Sequence, residues 1–460
     1  TCSESIACTR SDGGSDMSMS SRGTGLLTAV LAVICTIGST PLRADETCQS
    51  PYMTPIKGQE EFVYVWTLGM DGIGDESDKL VTIDVRPGSE TFGKVINSYS
   101  VGGQHEAHHS GLSDDRRTLW TGTLDDSQLY LFDIASDPSK PRLKKHITDF
   151  VEATGGATGP HTVFALPGRV LITATSNNRD HSGRSALVEY TNDGEYIATY
   201  WIPTPDNMSG ATGKEYADGY NYDVRALPRK NVMLTSSWTG WSNYMRDANE
   251  VMADPEAMKR FGNTVTVWNL HTRQPIKVLQ VPGAPLEVRW ALGEDHNYAF
   301  THASLTSKLW LIYEDEHGEW QAKDVATIGD PENPTLPGSI MITNDDKYIW
   351  WQGIADGTTR LIDVSDPFQP KEIYAKKIGS QVNMGSTSWD GKRLYYTSSA
   401  LSKWDRNDEH AEQYLRAYSW DGKELTETFS IDFIAEGLGR AHQMRFGAHS
   451  LYSDVTTALR

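Results

Sequence analysis

FVYVWTLGMDGIGDESDKLVTIDV, residues 62–85, is two runs of β-branched and aromatic residues held apart by a Gly- and Asp-rich turn. A pattern of run, turn and run reads as an antiparallel hairpin. The unit recurs at 117–134, 169–190, 231–270, 298–313, 348–364 and 393–420. A further short strand precedes each of these six, at 108–115, 161–168, 222–229, 286–293, 339–346 and 383–391. Its seventh copy, HQMRFGAH at 442–449, follows the last hairpin instead. A spacing of roughly 55 residues falls among propeller repeats. The chain is therefore expected to be all-β, a seven-bladed β-propeller. Strand 442–447 would join hairpin 62–85, so that N- and C-terminal strands close the ring by pairing in one blade. Amphipathic helices do not alternate with the strands, which disfavours a parallel α/β fold. The best helical candidates are 249–261 and 407–413.

Composition agrees with a folded β-rich protein: 38% of the 460 residues are hydrophobic and 14 are Trp. Lys plus Arg number 42 against 61 Asp plus Glu, a net charge of −19. With no basic run, nucleic acid is not an expected partner. The acidic surface keeps a soluble protein dispersed by self-repulsion.

Residues 24–38, TGLLTAVLAVICTIG, form the long apolar run of the chain, with Arg22 before it and a small residue, Ala44, before polar Asp45. This reads as a secretory signal, with periplasmic export of the remainder. A membrane anchor would need about 20 apolar residues, more than the run supplies. Residues 1–16 precede Met17 and Met19 and go with the leader. The expected division is thus 1–44 leader and signal peptide, and 45–460 a single propeller domain. Of Cys2, Cys8, Cys35 and Cys48, only Cys48 lies in the mature part. The mature part therefore has no intrachain disulfide, and its core must hold it together.

Four of the 13 histidines share one property. His108, His109, His161 and His442 fall at the start of innermost strands, and ring closure puts those strands in three consecutive blades. Equivalent strand starts face the central channel at one height. Imidazoles gathered there suit a borderline metal such as copper or zinc. Met384 and Met444 lie on inner strands as well. Asp223, Arg225, Glu287, Arg289 and Arg445 occupy matching offsets. They form either an internal ion network or, for Asp223 and Glu287, a partner to the ligands or a proton acceptor in catalysis. His302 and His410 read as background. His105 and Glu106 sit beside the 108–109 pair, within reach of it.

Several stretches together resemble the selenium-binding protein family over roughly 48–447. They are CQSPYMTPIKGQEE (48–61), His108-His109-Ser110-Gly111, Pro160-His161-Thr162, Tyr220-Asn221-Tyr222-Asp223, Pro285-Leu286-Glu287-Val288-Arg289, LIDVSDPFQP (361–370), DGKRLYYTSSALSKWD (390–405) and Ala441-His442. The resemblance implies a seven-bladed propeller, copper held by His108, His109, His161 and His442, and oxidation of methanethiol with O2 and water. Formaldehyde, hydrogen sulfide and hydrogen peroxide are the implied products. A small volatile thiol and O2 are then the partners, with no membrane span in the mature form. The thiols of eukaryotic relatives are missing here: 112–116 reads LSDDR and 161–165 reads HTVFA. Selenium binding through those thiols is not expected. The competing class is a non-enzymatic periplasmic metal-binding or scaffold propeller, since fold alone does not fix function. A calcium-dependent lactonase propeller would show Asp, Asn and Glu in the channel in place of His.

Overall fold

The computed structural model describes residues 46–47, 49–205, 216–408 and 410–452. All of them belong to the unit Pro41–Arg460. The expected leader, 1–44, and all four cysteines lie outside the described residues. Among the described residues no helix is long and apolar enough to cross a membrane.

Seven four-stranded antiparallel sheets follow one another along the chain. Consecutive inner strands touch all the way round, and the last, Arg440–Gly447, touches the first of the next blade, Ala107–Leu112. The ring is thus a seven-bladed propeller, as the repeats require. Closure is by the terminal strand: Arg440–Gly447 pairs antiparallel with Phe62–Leu68, with Phe62 opposite Gly447 and Leu68 opposite Arg440.

Each blade packs face to face against two neighbours, so its inner strands bury both faces. Phe62–Leu68, Lys79–Asp84 and Thr118–Thr123 are buried at every residue. This is why the hairpins read as continuous apolar runs and not as alternation. One inter-blade layer joins Phe62, Tyr64 and Trp66 to Leu119, Tyr130 and Phe132. Each such side chain contributes about 1.5–3 kcal/mol on burial. The outer strands, such as Lys94–Ser100 and Arg142–Ile147, alternate exposed and half-buried residues. They supply the fourth strand of each blade.

The helical candidate at 249–261 is observed as two short helices, Ala248–Ala253 and Pro255–Met258. Asp247 caps the first by accepting from Asn249 and Glu250, and Asp254 caps the second, with Pro255 in its first turn. Such side-chain caps satisfy the free N–H groups of a helix start. The candidate at 407–413 is not a helix among its described residues. There Asp408 turns the chain, its carboxylate accepting from the His410 N–H at 3.0 Å.

Two pieces of chain lie across the blades. The 238–261 segment buries Trp238, Tyr244, Val251, Ala257 and Phe261 in one cluster with Tyr222 and Leu401. At the N-terminus, Glu46 bridges Ser388, Ser50 donates to the Ala165 carbonyl, and Thr54 accepts from Arg116. This segment therefore ties together three blades. Glu60, fully buried, receives two hydrogen bonds from Arg393 at 2.6 and 2.9 Å and one from Tyr395 at 2.9 Å.

Candidate metal centre

The inner strands carry a shared irregularity. In Ala107–Leu112, residues His108 and His109 together face one residue of the next strand, between the pairs Ala107–Thr123 and Ser110–Thr121. In Ala157–Leu166 the doubled pair is His161-Thr162. In Arg440–Gly447 it is His442-Gln443, and in Pro285–Trp290 it is Leu286-Glu287. These are β-bulges at one level of the channel. A bulge frees a residue from the ladder and re-aims its side chain. Ladder partners are replaced locally: the Thr173 hydroxyl accepts from the Thr162 N–H at 2.9 Å and donates to the Tyr222 carbonyl at 2.6 Å.

Three bulges therefore bring four imidazoles into one buried cluster, in which the ligand nitrogens of three, His108, His109 and His161, converge. One ligand nitrogen from each of His108, His109 and His161 lies within 4.8 Å of the others. The His442 ring stacks on His108 at 3.9 Å between centroids and lies 5.4 Å from His109. His109 and His161 are 3.6 Å apart. All four are at most 3% exposed.

The proton positions are set by neighbouring carbonyls. His161 Nδ1 faces the Tyr222 carbonyl at 3.0 Å, and His442 Nδ1 faces the Ser399 carbonyl at 2.8 Å. A carbonyl only accepts, so both Nδ1 atoms carry the hydrogen and both Nε2 atoms keep a lone pair. Those Nε2 atoms, with His109 Nε2 and His108 Nδ1, are buried without a hydrogen-bond partner. Four orphaned nitrogens in one buried cluster are costly unless something binds them. Burial, reinforced for His108, His109 and His161 by neighbouring imidazoles, pushes the rings well below the usual histidine range, His442 to about 3. They stay neutral near pH 7, the state in which histidine is a ligand. The donor set fits copper or zinc.

The other candidates separate from this point. His105 is engaged at both ring nitrogens, by Asp126 and by the Gly102 carbonyl, each at 2.6 Å. His302 accepts from the Glu287 N–H at 3.3 Å, supporting a bulge. Met444 packs in the inter-blade core, and Met384 belongs to the same cluster. Glu106 turns away to Ser402, taking its backbone N–H at 2.7 Å and its hydroxyl, and burial pushes its carboxyl up to about 7.

Asp223 and Glu287 are bound into a charged belt below the imidazoles. Asp223 accepts from Arg289 at 3.0 Å and from the Val288 N–H at 3.0 Å, and pairs with Arg225 at 3.2 Å. Glu287 pairs with Arg289 at 2.5 Å and accepts from the Ile340 N–H at 2.9 Å. Burial raises the Glu287 carboxyl, against the pull of Arg289. Arg445 reaches Glu46 at 3.4 Å. Beyond the belt lies a cavity of about 830 Å³, lined by Arg225, Arg229, Arg289, Phe164, Trp290 and Trp389 among others. None of the four histidines lines it.

Sequence reading located the imidazoles but not the bulges, nor the two carbonyls that fix their protons. Nor did it single out Tyr222, whose ring lies 4.0 Å from His161 and 5.9 Å from His109. One signal was available: two adjacent histidines in a strand point to opposite faces unless the ladder is broken between them.

Comparisons with known proteins agree with this architecture. The family model described as 56kDa selenium binding protein (SBP56) matches residues 42–457. A methanethiol oxidase of Ruegeria pomeroyi is 63% identical over 412 residues, covering 89% of this chain and 94% of that protein. One from a Hyphomicrobium species is 53% identical over 415 residues, covering 90% and 93%. Among solved structures, a hypothetical selenium-binding protein from Sulfolobus tokodaii superposes with a TM-score of 0.74 at 22% identity, over 88% of this chain and 99% of its own. A periplasmic gluconolactonase of Pseudomonas aeruginosa, at 11% identity and a TM-score of 0.57, covers 84% of this chain and 99% of its own and shares the fold alone. With the match running through all seven blades and the four bulge histidines, the chain belongs to the selenium-binding protein family.

Proposed function

We propose that this protein is a copper-dependent methanethiol oxidase of the periplasm, converting methanethiol, O2 and water to formaldehyde, hydrogen sulfide and hydrogen peroxide. The observation that carries the reading is the set of four buried, neutral imidazole nitrogens without partners. Relatives named methanethiol oxidase at 63% and 53% identity support the substrate.

His108, His109, His161 and His442 would hold the ion. Bound copper supplies an electron acceptor that favours the thiolate form of a small thiol. The Tyr222 and Ser399 carbonyls orient two of the ligands, the role that partners of metal-bound histidine commonly play. Burial keeps bulk water away from the centre and strengthens charge interactions inside it. Of the two carboxylates Glu287 is held by fewer donors, Arg289 and the Ile340 N–H, and burial raises it, which favours it as the proton acceptor. Asp223 is committed to Arg225, Arg289 and two backbone N–H groups.

The test is to purify the protein with copper and supply methanethiol. Sulfide and formaldehyde should form together. Their absence from copper-replete protein would reject the enzyme reading, and a preparation with no stoichiometric copper would favour a scaffold.

A further inference from the structure

The side of the centre facing the 238–261 segment is lined by redox-active rings. Tyr222 lies 4.0 Å from the His161 ring, and Trp238 lies 5.5 Å from Tyr222. Trp404 lies 5.7 Å from Trp238 and is half-buried, the first ring of the series to reach solvent. Tyr244 stacks on Trp238 at 5.5 Å. Met245, Met252 and Met258 pack against the same cluster. Phenol, indole and thioether are, after thiols, the most easily oxidised side chains, and no thiol is found among the described residues.

We propose that Tyr222, Trp238 and Trp404 form an electron relay that carries reducing equivalents from the protein surface to the buried histidine centre. The relay rests on the copper reading above. Neighbouring rings at these separations exchange electrons readily, and no other group need intervene. The relay lets the centre reduce peroxide at the expense of an external thiol. Reduction of one H2O2 to two waters takes up two electrons and two protons. The electrons pass one at a time from Tyr222, are replaced from Trp238 and then Trp404, and come finally from two thiols. The thiols become one disulfide and release two protons, which balance those consumed. Tyr222 gives up its phenolic proton with each electron and takes one back when Trp238 refills it, so the relay carries electrons only and the two protons consumed are those the thiols release. When no thiol is present the missing electrons are taken from Trp404 and the three methionines, which are damaged in place of the ligands.

The experiment exposes copper-loaded protein to hydrogen peroxide without thiol and maps oxidation by peptide mass spectrometry. Trp404 should be oxidised, excess thiol should protect it, and Trp238→Phe should lower Trp404 oxidation about tenfold while raising damage at the histidines. Equal Trp404 oxidation in Trp238→Phe and the parent, or in zinc-loaded and copper-loaded protein, would overturn the relay. Trp404→Phe is the second variant, at a half-exposed position. It should slow thiol-driven peroxide consumption and move damage to Trp238; an unchanged rate would overturn the relay too. Copper content, measured separately by elemental analysis, distinguishes the two failures. A parent protein that binds no copper removes the metal reading and the relay with it, whereas a loaded protein without the variant effects removes the relay alone.

Discussion

The imidazole of His161 is oriented by Tyr222, a residue 61 positions away on the neighbouring blade, through an Nδ1–H to carbonyl hydrogen bond of 3.0 Å. Tyr222 thus acts on the cluster twice, by its backbone on the His161 ring proton and by its own ring against that imidazole.

Replacing His161 or His442 by Ala should lower bound copper by more than the ~10–100-fold that loss of an outer partner produces. Elemental analysis after dialysis reads this directly. Unchanged copper content would reject the ligand set.

Gly111→Ala is chemically silent but sterically severe. An added Cβ would stand 2.7 Å from the Val163 Cβ and nearer still to the Val163 carbonyl oxygen, forcing apart the strands that carry His109 and His161. Copper affinity should fall although no ligand has changed. A variant that binds copper like the parent would show that strand spacing does not matter here.

Glu287→Gln should reduce turnover by ~10²–10⁴ with copper retained, if the raised carboxyl is the proton acceptor. Asp223→Asn should instead destabilise the fold, because it leaves the buried Arg225 and Arg289 without a full counter-charge. Measuring kcat and melting temperature on both variants separates the roles. Full activity in Glu287→Gln would rule that residue out as base.

Glu60→Ala should cost about 3–5 kcal/mol, because Arg393 and Tyr395 lose a fully buried partner. Denaturant unfolding measures it. A loss below 1 kcal/mol would mean that solvent replaces the carboxylate.

Without metal, the protein should lose stability as pH falls below about 6.5. The four imidazoles titrate lower when folded than when unfolded, His442 at about 3, so the unfolded chain takes up protons first. Each unit of depression is worth ~1.4 kcal/mol. Asp78 and Glu106 run the other way: burial raises them to about 6 and about 7, and their contribution is lost as pH rises through those values. Burial raises Asp218 and Glu287 as well, and lowers His302 to about 3, so the carboxyls soften an acid loss to which a fifth buried imidazole adds. Copper should flatten the profile near neutrality, and melting curves with and without the metal check this.

The propeller was legible because its hairpins are buried on both faces, which writes FVYVWTL and YIWWQG as unbroken apolar runs. The outer strands were harder to see, since strands such as Arg142–Ile147 are mostly polar and pair along one side only. The grouping of the imidazoles was legible from strand order alone: circular closure makes His442 a neighbour of His108. The bulges were not, because a bulge is a property of the pairing between two strands and leaves a trace in neither one read singly. Asp223 and Glu287 look alike in sequence and differ only in how many donors surround each carboxylate.

The strand Arg440–Gly447 brings its histidine from the far end of the polypeptide. Synthesis makes His108, His109 and His161 well before His442. A product that stops before that strand thus has a gap in its ring and lacks one of the clustered imidazoles. On the proposed copper reading, loading then reports that the ring has closed.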